Sequence, residues 1–164
     1  MSLDLTLLKT TIQGIFNTAN DTGAAYDLSS GLTTRVRKVL TLNPNRIPTQ
    51  ANYYPLISIF VESKRIEAKD IAVSQRMAKR EAVVRVKIVG SVYNSIQSDA
   101  KKDFADDECE KLMENIEEVL RRNDTLDGVA TWQFPDLVTY HNAQIDEGVH
   151  IRAGILNLET THYY

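Results

Sequence analysis

Residues 81–94 alternate apolar and polar side chains with a period of two. Val84, Val86, Ile88 and Val92 fall on one side, Arg85 and Lys87 on the other, which is the pattern of a half-buried strand. A polar break follows at residues 94–102. Then Phe104, Ala105, Cys109, Leu112, Met113, Ile116, Val119 and Leu120 recur at helical spacing, with carboxylates on the opposite side. A one-sided strand leading into a one-sided helix predicts a sheet whose helices lie on one face, because neither element buries its apolar side alone.

The remaining elements fit around this pair. Leu5, Leu8, Ile12, Ile15, Phe16 and Ala19 predict a helix over residues 4–19, with Asp4 placed to cap it. Gly14 lowers its intrinsic stability by about 1 kcal/mol relative to Ala. Residues 20–31 and 43–54 read as loops. Between them Val36, Lys38, Leu40 and Leu42 give an irregular strand signal that Pro44 and Pro48 end. The LISIFV run at 56–61 is nearly all apolar, so it is expected mid-sheet with both faces covered. Residues 62–80 are dense in charge and read as either a protruding hairpin or a mobile loop. After the long helix the chain turns at 123–128. A strand interrupted near Pro135 follows, as an edge or a bulge allows, then a turn at 146–148 and a last strand. In that strand the apolar phase slips from Ile155 to Leu156 and Leu158, which predicts a bulge at Gly154. The expectation is a single α+β domain over 1–164, a four- to five-stranded, mainly antiparallel sheet with two helices packed on one face.

Composition narrows the chemistry. The 164 residues are 43% hydrophobic and 25% charged, an ordinary mix for a folded chain, and the net charge of −3 gives no bulk attraction to nucleic acid or anionic lipid. No apolar run is long enough for a membrane span. The single cysteine, Cys109, excludes an intramolecular disulfide and a cysteine-built zinc site, and it lies on the apolar side of the long helix. The N-terminal stretch lacks the basic flank and cleavage site of a signal peptide. Glycine-rich phosphate loops and a nucleophile elbow are absent from the sequence. Of three histidines, His141 and His150 flank the 146–148 turn, where they would face each other across a hairpin and, with Asp146 or Glu147, offer a metal or general-base site. Surface strand histidines are the simpler reading. No catalytic, metal or cofactor residue is assigned, and an enzyme is not expected.

Two charged stretches are candidate contact surfaces. One is basic: Lys64, Arg65, Lys69, Arg76, Lys79 and Arg80, interleaved with Glu62, Glu67, Asp70 and Glu81 and lacking aromatic residues for base stacking. The other is the acidic side of the long helix, with Asp106, Asp107, Glu110 and Glu114. There Asp107 precedes Lys111 by four residues, and Glu117 and Glu118 precede Arg121 and Arg122 by four, the order that favours helix ion pairs. A solvated face accounts for these charges; if used, the basic segment of one copy suits the acidic helix of the next, a head-to-tail contact that closes into a ring.

The order of features in VRKVLTLNPNRIPTQANYYPLISIFVES, EAVVRVKIVGSVYN, the acidic helix to Leu120 with NDTLDG after it, and GVHIRAGILNLETTHYY resembles the tail terminator (tail completion) proteins of tailed bacteriophages, over most of residues 33–164. The resemblance implies an α+β fold and a structural virion protein in the tail, assembled in the host cytoplasm. It implies a ring, commonly a hexamer, that caps the tail tube, ends tube polymerisation and forms the head–tail joining surface. The partners would be copies of the chain itself, the tail tube protein and the head–tail connector or neck protein, with no membrane and at most non-specific contact with passing DNA. No catalytic residue carries over. The C-terminal strand is a further candidate, as an edge able to augment a partner's sheet. The competing readings are a head-completion or neck protein on the connector side, a small binding domain using the basic 64–87 segment, and an enzyme using His141 and His150.

Overall fold

A computed structural model describes residues 3–47, 50–69, 79–95, 100–146 and 149–163. Its elements are helix α1 (Leu5–Ala19), strands β1 (Lys38–Leu40), β2 (Leu56–Lys69) and β3 (Lys79–Ser95), helix α2 (Ala100–Arg121), and strands β4 (Trp132–Asp146) and β5 (Val149–Tyr163). The five strands form one sheet in the order β1-β2-β3-β5-β4. β1 and β2 are parallel, and every other pair is antiparallel. Both helices pack on this sheet, so the fold is α+β as expected.

Each helix forms for a local reason and is held by burial. The Asp4 carboxylate accepts from the N–H groups of Thr6 and Leu7 at 2.8 and 3.1 Å, satisfying two donors that the first turn of α1 leaves open. Leu8, Ile12, Ile15 and Phe16 then point inward. On α2, Cys109, Leu112, Met113, Ile116, Val119 and Leu120 are all buried. They meet Ile57 and Ile59 of β2, Val84, Val86 and Ile88 of β3, and Leu156 and Leu158 of β5 in one core.

Gly90 and Gly154 sit opposite each other across β3 and β5, under Met113 of α2. A Cβ on Gly90 would lie 2.8 Å from Met113 Sδ; one on Gly154 would run into Met113 Cγ. The two glycines therefore let α2 seat close to the central strands. The bulge expected at Gly154 is not there: the β3–β5 register runs unbroken through it. The apolar phase slips because the two faces of β5 are covered at different ends. Leu156 and Leu158 face the helices, whereas Ile151 faces the other way and joins Ile47, Tyr54 and Leu56 in a second cluster.

Other expectations are sharpened or corrected. The irregular strand of residues 33–42 contracts to Lys38–Leu40. β2 lies mid-sheet only at residues 56–58, because β1 is too short to flank more of it. The interruption near Pro135 is both a bulge and an edge: the register shifts between Pro135 and Val138, and β4 ends the sheet. The C-terminal strand is not an edge, since β5 is held between β3 and β4. Of the 62–80 segment, the arms are paired strands as far as Lys69 and from Lys79. Residues 70–78, Arg76 included, lie outside the described residues.

Candidate assembly surfaces

The outer strands carry the least satisfied surface of the sheet. From Ile59 onward the outer side of β2 has no neighbouring strand among the described residues. At the other end, the Gln133 N–H donates outward to the Asp124 carbonyl at 2.9 Å, so the α2–β4 turn closes the start of β4. Past Gln133, among the described residues, no backbone hydrogen bond reaches the outer side of β4. Exposed apolar side chains gather on the same strands. Phe134, Leu137 and Trp132 on β4 are 58%, 53% and 44% exposed, and Ile66 on β2 is 53% exposed. An open edge lined by apolar side chains is a surface that a further chain satisfies.

Each edge alternates between the two faces. On β2, Lys64 and Ile66 pair with Val84 and Ala82 and share the helix-covered face, while Ser63 and Arg65 pair with Arg85 and Val83 on the opposite face. On β4, Val138 and Tyr140 pair with Leu156 and Gly154 on the helix-covered face, and Thr139 and His141 pair with Ile155 and Ala153 on the other.

The charged candidates divide. In the basic stretch, Arg65 bridges to Glu67 at 2.5 Å, Lys87 to Glu62 at 2.6 Å and Arg85 to Glu159 at 3.6 Å. Lys64 is exposed and has no ion-pair partner among the described residues. Lys69, Lys79 and Arg80 lie on the paired arms of the hairpin. On α2 much of the acidic side is engaged within the chain. Asp106 bridges to Arg152 of β5 at 2.9 Å, Glu114 to Lys111 at 3.1 Å, Glu117 to Arg121 at 2.5 Å and Glu118 to Arg122 at 2.5 Å. Lys111 thus pairs forward with Glu114 rather than back with Asp107. Asp107 and Glu110 remain exposed and unpaired among the described residues. Such exposed pairs contribute little each, but they leave fewer open acids than the sequence pattern displays.

One row of α2 is wholly occupied, and the sequence reading did not find it. Glu108 is buried and accepts from the Thr33 N–H at 2.9 and 3.1 Å and from the Thr33 hydroxyl at 2.9 Å. Asn115 Nδ2 donates to the Leu28 and Ser30 carbonyls at 3.0 and 2.8 Å, and the Arg122 guanidinium lies 3.4 Å from the Tyr26 ring centroid. These residues are seven apart, nearly two helical turns. Their spacing is the signal that was present and went unread.

Among the described residues the chemistry-bearing candidates do not converge; Glu147 and the side chain of Asp146 lie outside them. His141 and His150 project from opposite faces of the sheet, because His141 pairs with Ala153 and His150 with Gln144. Among the described residues no group of three His, Cys, Asp or Glu side chains could hold a metal. His162 is buried: its Nδ1–H donates to the Val129 carbonyl at 2.9 Å, leaving Nε2 to accept from the Thr160 hydroxyl at 2.9 Å. Burial pushes its pKa below the ordinary histidine value. Burial likewise pushes the Cys109 thiol up to about 12, so it is no nucleophile. A groove of about 520 Å³ between α1 and the end of α2 is lined by Gly14, Ile15, Thr18, Tyr26, Val119 and Arg122. Its guanidinium is held by Tyr26 and Glu118. No helix among the described residues is long and apolar enough to cross a membrane.

The chain matches no model of a known protein family, and no curated protein matches it.

Proposed function

We propose that this protein is a structural, ring-forming protein of the tail-terminator kind, which caps a phage tail tube and presents the joining surface to the head. The observation that carries the reading is the pair of edges open among the described residues, β2 beyond Ser58 and β4 beyond Gln133, on opposite sides of one sheet. A unit open on two different sides joins head to tail, and such contacts close into rings when the rotation permits. The order of sequence features in residues 33–164 supplies the tail-terminator assignment. That histidines, cysteine and carboxylates do not converge among the described residues favours an assembly role over a catalytic one.

Light scattering of the purified chain, then negative-stain imaging with and without tail tubes of the same virion, tests the reading. Rings in solution or caps on tube ends are expected. Binding to the connector and not to tubes would move the assignment to a neck protein. A monomer that ignores both would overturn it.

A further inference from the structure

The open edges also differ from each other, and the difference indicates how copies meet. We propose that the outer edge of β2 in one copy, at residues 63–67, adds antiparallel to the outer edge of β4 in the next, at residues 138–142, so that the sheet runs on from copy to copy. The inference rests on the ring-forming reading and names the surface that would make the ring.

Three observations select a second copy of this chain as the occupant. The first is direction. β2 and β4 are antiparallel to each other, through the successive antiparallel steps β2–β3, β3–β5 and β5–β4. Copies repeated with their strands in the same direction therefore bring β4 against an antiparallel β2, which permits a regular ladder. The second is face. If the helices of both copies lie on one side of the joined sheet, Thr139 or His141 must stand opposite Arg65 or its same-face neighbours, since a one-residue slip exchanges the faces. With His141 opposite Arg65, Tyr140 falls opposite Ile66; with Thr139 opposite Arg65, Val138 does. Either register covers the exposed Ile66 with an apolar side chain on the same face. The third is closure. Residues 138–142, VTYHN, carry no acid, lysine or arginine, so they oppose no charge to the mixed β2 edge of Lys64, Arg65 and Glu67. Pairing β2 with a second β2 would leave every dimer with two open β4 edges. Pairing β4 with β4 would leave every dimer with two open β2 edges. Head-to-tail addition leaves none once the ring closes.

The bulges fit the same picture. β2 shifts register between Val61 and Ser63, and β4 between Pro135 and Val138. The runs proposed to pair are those beyond each bulge, where the strand is regular again.

The test uses the full chain carrying Arg65→Cys with Thr139→Cys, and separately Arg65→Cys with His141→Cys. Cys109 is kept, because it is buried. Each protein is treated with a short bismaleimide, free and on tail tubes, and run on a denaturing gel beside its single-cysteine parents. A covalent ladder from at least one double variant, with monomers from all parents, is the expected result. Efficient dimers from the Thr139→Cys or His141→Cys parent would replace the proposal with a two-fold β4–β4 contact. Rings seen by light scattering or imaging without any ladder would overturn this surface and leave the ring reading standing. Monomers throughout, on tubes as well as in solution, would overturn both.

Discussion

Replacing Gly154 with alanine probes what fixes α2 to the centre of the sheet. The added Cβ meets Met113 Cγ, comes 2.7 Å from Met113 Sδ and 3.3 Å from Tyr140 Cε1. Cγ is near the root of the side chain, so rotating the end of Met113 does not relieve the clash, and α2 or the strand must shift. Overpacking of this kind costs about 1–3 kcal/mol. Against it stands a gain of roughly 0.5–1 kcal/mol from removing a glycine from a strand interior. The net expectation is a loss of about 1–2 kcal/mol. At Gly90 the corresponding contacts are Met113 Sδ at 2.8 Å and Leu112 Cδ2 and Ile116 Cδ1 at 3.1 Å, all flexible ends. There the two terms nearly cancel, and Gly90→Ala should fall between neutral and a loss of about 1 kcal/mol. Urea unfolding followed by circular dichroism measures both, read as a lower midpoint with an unchanged slope. Met113→Ala closes the argument. Alone it opens a cavity and costs about 2–5 kcal/mol; combined with Gly154→Ala it should cost about 1 kcal/mol less than the sum, because the same clash is counted in both. A neutral Gly154→Ala, or strict additivity with Met113→Ala, would refute the account of how α2 is seated.

Three further outcomes are expected. His162 binds a proton near pH 6.5 when the chain is unfolded but only at lower pH when folded; stability should therefore be full above pH 6.5 and fall as the pH drops through that value toward the folded pKa. Thermal unfolding at pH 7.5 and 5.5 should show the loss, and His162→Gln should flatten it; an equal pH difference in the variant would exclude His162 as its source. Cys109, with its thiol pushed up to about 12, should not react with a thiol reagent at pH 8 in the native protein and should react fully in urea. Asp4→Ala removes the acceptor for Thr6 and Leu7 and should cost about 1 kcal/mol in a denaturant titration, with Asp4→Ser recovering most of it.

The core was readable in the sequence wherever one face of an element meets one layer. The α1 face, the α2 face from Ala105 to Leu120 and the even positions of β3 obey a single period and were placed correctly; the side chain of Phe104 lies outside those described. Reading failed where both sides of a strand are covered by different things. At β5 the change of phase from Ile151 to Leu156 looked like a bulge, because hydrophobic pattern records burial and not what does the burying. The C-terminal strand looked like an edge because position in the chain says nothing about position in a sheet. The candidate surfaces were half readable. Charge clusters show in composition, but which charges remain open depends on partners far off in sequence, as Arg152 is for Asp106. The edge at β4 was signalled by Pro135, which a central strand does not tolerate, but that this edge stays open past Gln133 among the described residues follows from strand order alone.

The row Glu108, Asn115 and Arg122 bears on how much of α2 is available to a partner. If these side chains hold the 26–33 segment, that side of α2 is already committed, and among the described side chains an incoming chain finds Asp107 and Glu110 as the open acids. Asn115→Ala isolates the middle of the row. Its amide serves two carbonyls: that of Leu28 in a part-buried bond, and that of Ser30 in an exposed one that water replaces readily. The loss should lie near 1 kcal/mol, at the low end of the cost of leaving a buried group unmet. Because the segment is one loop, the effect should be local. Hydrogen exchange should quicken about five-fold at the amides of Leu28, which donates to Ala19, and of Leu32, which donates to Ser29. The amides of β3 and β5 should not change. Uniformly faster exchange would mean that Asn115 acts through global stability. Unchanged exchange at Leu28 would mean that the buried Leu28 side chain alone holds the loop, and the acidic side of α2 would return to consideration as a docking surface.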